Sequence, residues 1–287
     1  MPLPPEIEAA AHRIAPYVRR TPVIALEPGV LGVAGDLHLK LELLQHSGSF
    51  KARGAFNRLL TAETPAAGVI AASGGNHGAA VAYAARRLGY RAEIFVPDVC
   101  PEIKVRRLKH YGAIVTQVGA VYTEALAASQ ARAAETGALP IHAFDDRAVM
   151  AGQGTVAREF IEQVPGMDTV LIAVGGGGLI GGVASWFRGD VRVVGVEPVR
   201  AATLARALEA GAPVDVAVGG LAVDSLGATR AGALAFAAAQ QFVERVVLVE
   251  DSQISAAQKM LWEDLRIAAE PGGATALAAL LSGSYRP

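Results

Sequence analysis

The chain has 287 residues and is 52% hydrophobic but only 6% aromatic, so much of its apolar share is Ala and Val, which suit tight helix-on-sheet packing. Its 26 basic and 27 acidic residues form no long single-sign run, which excludes the electropositive stripe that a nucleic-acid backbone needs. The lone cysteine, Cys100, excludes an internal disulfide; no Cys/His cluster has zinc spacing, and no apolar run reaches the roughly 20 residues that cross a bilayer. With no signal-peptide pattern in residues 1–15, the expectation is a cytoplasmic protein with no membrane or nucleic-acid partner and no metal.

In chain order, a β-rich run at 37–41 precedes a helix opening near Ser49, for which Ser47 and Ser49 are candidate N-caps. Strands at 68–72, 92–96 and 114–118 then alternate with helical spacing at 78–88, 101–111 and 122–136. Further strands are expected at 169–174, 191–197 and 245–250, and a helix from about 274 to Ser282. This βαβ rhythm, with fully apolar strands such as 170–174, predicts an α/β fold with doubly wound parallel sheets. Gly/Ser-rich loops at 47–49, 73–78, 175–182 and 271–273 fall beside strand or helix ends, where open α/β sheets bind ligands.

Three of these loops carry chemistry. In Gln45–Ala55, Lys51 falls in the first turn of a helix, where the positive end of the dipole should depress its pKa. Only five lysines occur against 21 arginines, and lysine, unlike arginine, can deprotonate for Schiff-base chemistry; a solvated lysine beside a turn is the plainer alternative. In Ser73-Gly74-Gly75-Asn76-His77-Gly78, following a strand, the glycines free backbone N–H groups for an anion, and a small carboxylate fits there; an ordinary strand-to-helix turn explains the loop equally well. In Gly175-Gly176-Gly177-Gly178-Leu179, directly after another strand, exposed amides make a phosphate cradle. Gly176, Gly178 and Gly181 also satisfy the dinucleotide fingerprint, and Glu197 stands where a ribose-binding acid would, so an NAD-binding Rossmann oxidoreductase is the rival reading.

In this order, the three motifs resemble the fold-type-II pyridoxal phosphate enzymes, and among them the serine/threonine dehydratases and serine racemases. Supporting marks are Leu39-Lys40-Leu41-Glu42, Ile141–Asp146 leading into Ala151–Thr155, Gly195-Val196-Glu197-Pro198 and Glu270–Ala274. The resemblance implies two open-sheet lobes of the tryptophan synthase β kind with the cofactor between them. Residues 1–60 and 145–287 would form the large cofactor-binding domain and 61–144 the small one, in a homodimer acting on a small amino acid. It implies that Lys51 carries pyridoxal 5'-phosphate as a Schiff base, that Phe50 packs on its ring, that Asn76 bonds its phenolic oxygen, and that Gly175–Gly178 with Leu179 hold its phosphate. Ser73, Gly74, Gly75, Asn76 and His77 would take the substrate carboxylate. The implied reaction is β-elimination from serine or threonine to a 2-oxo acid and ammonia; a non-catalytic cofactor carrier or a racemase are alternatives on the same fold.

The chain departs from the family at several points. Racemases place an acid/base serine where this sequence has Gly74, so racemisation is expected to be inefficient. An Asp near the substrate hydroxyl in relatives is matched by Gly219, and the cation ligands of some relatives match Glu197, Ala201 and Thr203, with a carboxylate missing from the third. Relatives continue past the helix near residue 274 to a segment that bonds the pyridine nitrogen. Leu281-Ser282-Gly283 comes too early to be that segment, which predicts a natural chain longer than this one.

Overall fold

The computed structural model describes residues 1–30 and 35–287; residues 31–34, within the expected large domain, lie outside the described residues. Helix α1 (Pro4–Ile14) turns Ile7, Ala10 and Ile14 inward, the helical spacing of one apolar stripe. Strands β1 (Val23–Leu26) and β2 (Leu37–Lys40) pair antiparallel, and α2 (Lys51–Thr61) follows. Next come β3 (Val69–Ala72), α3 (Asn76–Leu88), β4 (Ala92–Val96), α4 (Glu102–His110), β5 (Ile114–Gln117), α5 (Tyr122–Thr136) and β6 (Leu139–Pro140). Their strands form one parallel sheet in the order β5-β4-β3-β6. All four residues of β3 are buried, as a parallel strand covered on both faces requires.

Helix α6 (Arg147–Gln163) leads to β7 (Thr169–Ala173), α7 (Gly178–Phe187), β8 (Arg192–Pro198), α8 (Thr203–Ala210), a short α9 (Val223–Leu226), α10 (Ala233–Phe242) and β9 (Val243–Val249). A second parallel sheet runs β7-β8-β9, with α11 (Asp251–Leu265) and α12 (Pro271–Leu281) completing its cover. The α/β expectation holds, and the strand at 92–96 and helix at 122–136 fall where the pattern places them. β1 and the two-residue β6 fall outside the expected strands, and two residues are too few to show periodicity.

The serine caps are corrected. Ser47 takes a left-handed backbone (φ 58°) in a separate 3-10 turn, Ser49 is extended, and α2 opens with Phe50 as N-cap and no side-chain cap. Both serine hydroxyls are buried without a partner among the described residues.

Two features hold α2, and so Lys51, in place. First, α2, α6 and α7 approach almost backbone to backbone through glycines. A Cβ on Gly152 would come within 2.6 Å of the Arg53 carbonyl oxygen, and one on Gly182 within 2.5 Å of that of Met150. Second, Arg53, 1% exposed, makes four hydrogen bonds of 2.7–3.1 Å to the carboxylates of Glu42 and Glu159. Lys40 also pairs with Glu159, so a compact ionic knot joins β2, α2 and α6.

Candidate active site

Lys51 begins α2 with its amine buried, donating a 2.8 Å hydrogen bond to the Ala143 carbonyl and lying 5.4 Å from the centre of the Phe50 ring. Burial lowers its pKa from 10.5 to about 8. The expected depression is therefore present, with desolvation as its cause. An amine so tuned spends an appreciable fraction of its time neutral near physiological pH, as a nucleophile must.

The loop 73–77 joins β3 to the first turn of α3. A Cβ on Gly78 would lie 2.0 Å from the Ser73 carbonyl oxygen, so only glycine allows this tight exit from the strand. Ser73 Oγ accepts from the Gly75 N–H at 3.2 Å. His77 is buried, with Nε2 2.9 Å from the Ile141 carbonyl. A carbonyl only accepts, so Nε2 carries the proton. Burial, and then the Lys51 charge, push the ring pKa down to about 3, so His77 stays neutral. Asn76 Nδ2 donates to Glu270 at 2.7 Å, across to the residue that precedes α12.

The loop after β7 leads to α7, with Gly177 (φ 91°) in the left-handed region as N-cap. A Cβ on Gly176 would fall 2.3 Å from the Phe144 ring, and one on Gly175 2.9 Å from the Leu226 backbone, so the surroundings demand glycine here. The first N–H groups of α7 have no partner within their helix, which leaves them for an anion. A cavity of about 570 Å³ is lined by Ser49, Phe50, Lys51, Asn76, Phe144 and Gly175–Leu179, and it continues along β7. The three expected motifs thus meet, Lys51 and Asn76 on one cavity with the glycine loop and Ser73–Gly75 in the turn beside Asn76. An open depression lined by Val199, Arg206 and Asp215 holds no lysine, serine or glycine-rich turn.

The dinucleotide reading fails at its acid. Glu197 is fully buried at the end of β8 and accepts the N–H groups of Leu204 and Ala205 at 2.7 and 2.9 Å. Its carboxylate serves the start of α8 and is not offered to a ribose. Burial raises its pKa to about 7 despite those hydrogen bonds. Beside it, Thr203 Oγ1 donates to the Ala228 carbonyl at 2.8 Å.

Some participants were invisible to sequence reasoning. The Ala143 carbonyl has no side-chain signature, and Phe144 and Glu270 sat in noted motifs without a role. Asp145 accepts the first N–H groups of α10, from Ala233 and Leu234, and so fixes the loop that carries Ala143 and Phe144. The donor set suits a phosphorylated pyridine aldehyde: a buried, partly neutral amine, a glycine cradle for phosphate, and the unpartnered Ser49 hydroxyl on the cavity wall.

Comparison with known proteins agrees. A family described as pyridoxal-phosphate dependent enzyme matches residues 14–287. The chain is 38% identical over 291 residues to a serine racemase of Arabidopsis thaliana, covering 98% of this chain and 86% of the relative. It is also 38% identical over 281 residues to an L-threonine ammonia-lyase of Geobacter sulfurreducens, covering 96% and 70%. The solved structure of maize serine racemase superposes with a TM-score of 0.93 at 37% identity, covering 98% of this chain and 86% of that one.

Proposed function

We propose that this chain, which belongs to the pyridoxal-phosphate dependent enzyme family, eliminates water from L-serine, L-threonine or a related β-hydroxy amino acid to give a 2-oxo acid and ammonia. Racemase and ammonia-lyase relatives are equally similar, so the choice rests on one observation. The loop that would hold the substrate carboxylate has glycine at 74, which leaves no side chain there to move a proton.

In this reading Lys51 holds the cofactor covalently, Phe50 packs on its ring, Asn76 bonds its phenolic oxygen, and Gly175–Gly178 with Leu179 hold its phosphate. The bound cofactor supplies the electron sink that makes the substrate α-proton acidic. Ser73 and the amides of residues 74–77 bind the carboxylate and orient Cα. Lys51, freed as a neutral amine when the substrate amine takes its place, takes the α-proton, and its pKa of about 8 suits a base working near neutrality. The α-proton and the β-hydroxide are lost as water; later addition of water at the α-carbon releases ammonia and the oxo acid. His77, neutral and donating its Nε2 proton to the Ile141 carbonyl, orients the loop and transfers no proton to the substrate. The four-stranded sheet belongs to a small domain of residues 61–144, and residues 1–60 with 145–287 form the large one.

Borohydride reduction of the cofactor-loaded protein followed by peptide mapping should mark Lys51, and L-serine or L-threonine should yield equal amounts of oxo acid and ammonia. A D-isomer appearing as fast as the oxo acid would overturn the lyase assignment.

A further inference from the structure

Glycine at 74 is held there by a second residue. A Cβ built on Gly74 would stand 2.8 Å from the Cys100 sulfur, inside any normal contact, and 3.6 Å from Val96 Cγ1 at the end of β4. Cys100 is half-buried in the turn that enters α4; its N–H is bonded to the Pro97 carbonyl at 2.9 Å, and Pro101 follows as the helix N-cap. The backbone there is pinned, so one side-chain torsion is all the thiol can use to move. Residues 74 and 100, on successive strand-to-helix loops, therefore share one side-chain volume, and here the sulfur fills it.

Inverting Cα needs two proton carriers, one on each face of the substrate, and Lys51 can be only one of them. The other side chains of the loop have different work: Ser73 accepts the Gly75 N–H and in the proposed reaction turns its own proton to the carboxylate, Asn76 is an amide that does not titrate, and His77 is held by the Ile141 carbonyl. We infer that Gly74 and Cys100 act as one specificity element, the thiol occupying the volume a side chain at 74 would need, so that the loop presents backbone amides and no second proton carrier. Cys100 is then a residue that sets the outcome of the reaction, an inference that rests on the elimination reading above.

Four proteins test it: the parent, Gly74→Ser, Cys100→Ala and the double variant. Melting temperature of the cofactor-free proteins reads the packing without reference to catalysis. Gly74→Ser alone should melt at least about 3 °C lower, and adding Cys100→Ala should recover more than half of that loss. Simple additivity of the two changes would overturn the shared-volume claim. In the loaded proteins, chiral chromatography should show the ratio of D-isomer to oxo acid rising at least tenfold in the double variant over both the parent and Gly74→Ser. No rise in a well-folded double variant would overturn the control of outcome by this pair. If the melting cycle is non-additive but none of the four proteins converts L-serine or L-threonine, the elimination reading falls and the steric pairing stands.

Discussion

Moving the cofactor-free protein from pH 7 to pH 9 should speed covalent capture of pyridoxal phosphate about tenfold and then level off. With a pKa of about 8, Lys51 is neutral in roughly one molecule in 11 at pH 7 and in about nine of ten at pH 9. An ordinary lysine at 10.5 would rise about a hundredfold over the same interval and keep rising. Stopped-flow absorbance of the forming chromophore measures the rate, and Lys51→Ala, which should abolish the slow covalent phase, is the control. The sign also reaches stability: the folded pKa lies below the unfolded one, so the cofactor-free protein should gain stability as pH rises from about 8 to 10.5. A capture rate that climbs without a plateau to pH 10 would refute the claim that burial tunes this amine.

Three other expectations concern the scaffold. Arg53→Ala strands the Glu42 and Glu159 carboxylates and should destabilise by about 3–5 kcal/mol in urea titration, whereas exposed Arg206→Ala, losing its Glu209 pair, should change stability by less than about 1 kcal/mol. In the intact knot, burial alone would raise Glu159, but Arg53 and then Lys40 hold its pKa below 4.5; the stabilisation is present above that value and fades as pH falls through the lowered one. Glu197→Gln should become progressively more favourable relative to the parent between pH 4.5 and about 7, because the raised pKa makes the buried carboxylate costly to ionise; thermal melts of both proteins at pH 4.5 and 8 read the difference. Gly182→Ala should lose roughly 1–3 kcal/mol despite alanine's better helix propensity, since its methyl meets the Met150 carbonyl at 2.5 Å; an unchanged denaturation midpoint would show that the helices can part.

Much of the site was legible because its chemistry is local. A lysine opening a helix, and glycine-rich turns directly after apolar strands, are short-range patterns, and the fold places them as such patterns suggest. What sequence could not supply depends on distant partners. Glu197 has the spacing of a ribose ligand, and only the course of α8 shows that the protein's own amides take it. Ser47 and Ser49 are good capping residues by type, yet the left-handed backbone at Ser47 and the fresh start at Phe50 leave both hydroxyls uncommitted. Asn76 finds Glu270 across 194 residues, and Lys51 finds a carbonyl that any residue could have provided.

The glycine-mediated seating of α2 and α7 on α6 has a mechanical consequence. Lys51 and the Gly177–Gly178 turn ride on helices that touch through main chain, where no rotamer can yield, so those two walls behave as one stiff jaw. The four-stranded sheet is seated on the same block, since Ala52, Ala55, Phe56 and Leu59 of α2 share one hydrophobic core with Ala80 and Ala84 of α3 and with Val69 and Ile94 of its strands. At the rim the contacts are polar: Asn76 to Glu270, Lys104 to Asp224 at 2.8 Å, and Arg107 to the Ser47 carbonyl. Water can replace such contacts at little net expense, whereas sliding α2 along α6 would drive backbone into backbone. The rim contacts are therefore the ones that yield at least cost, while α2 and its lysine keep their seat.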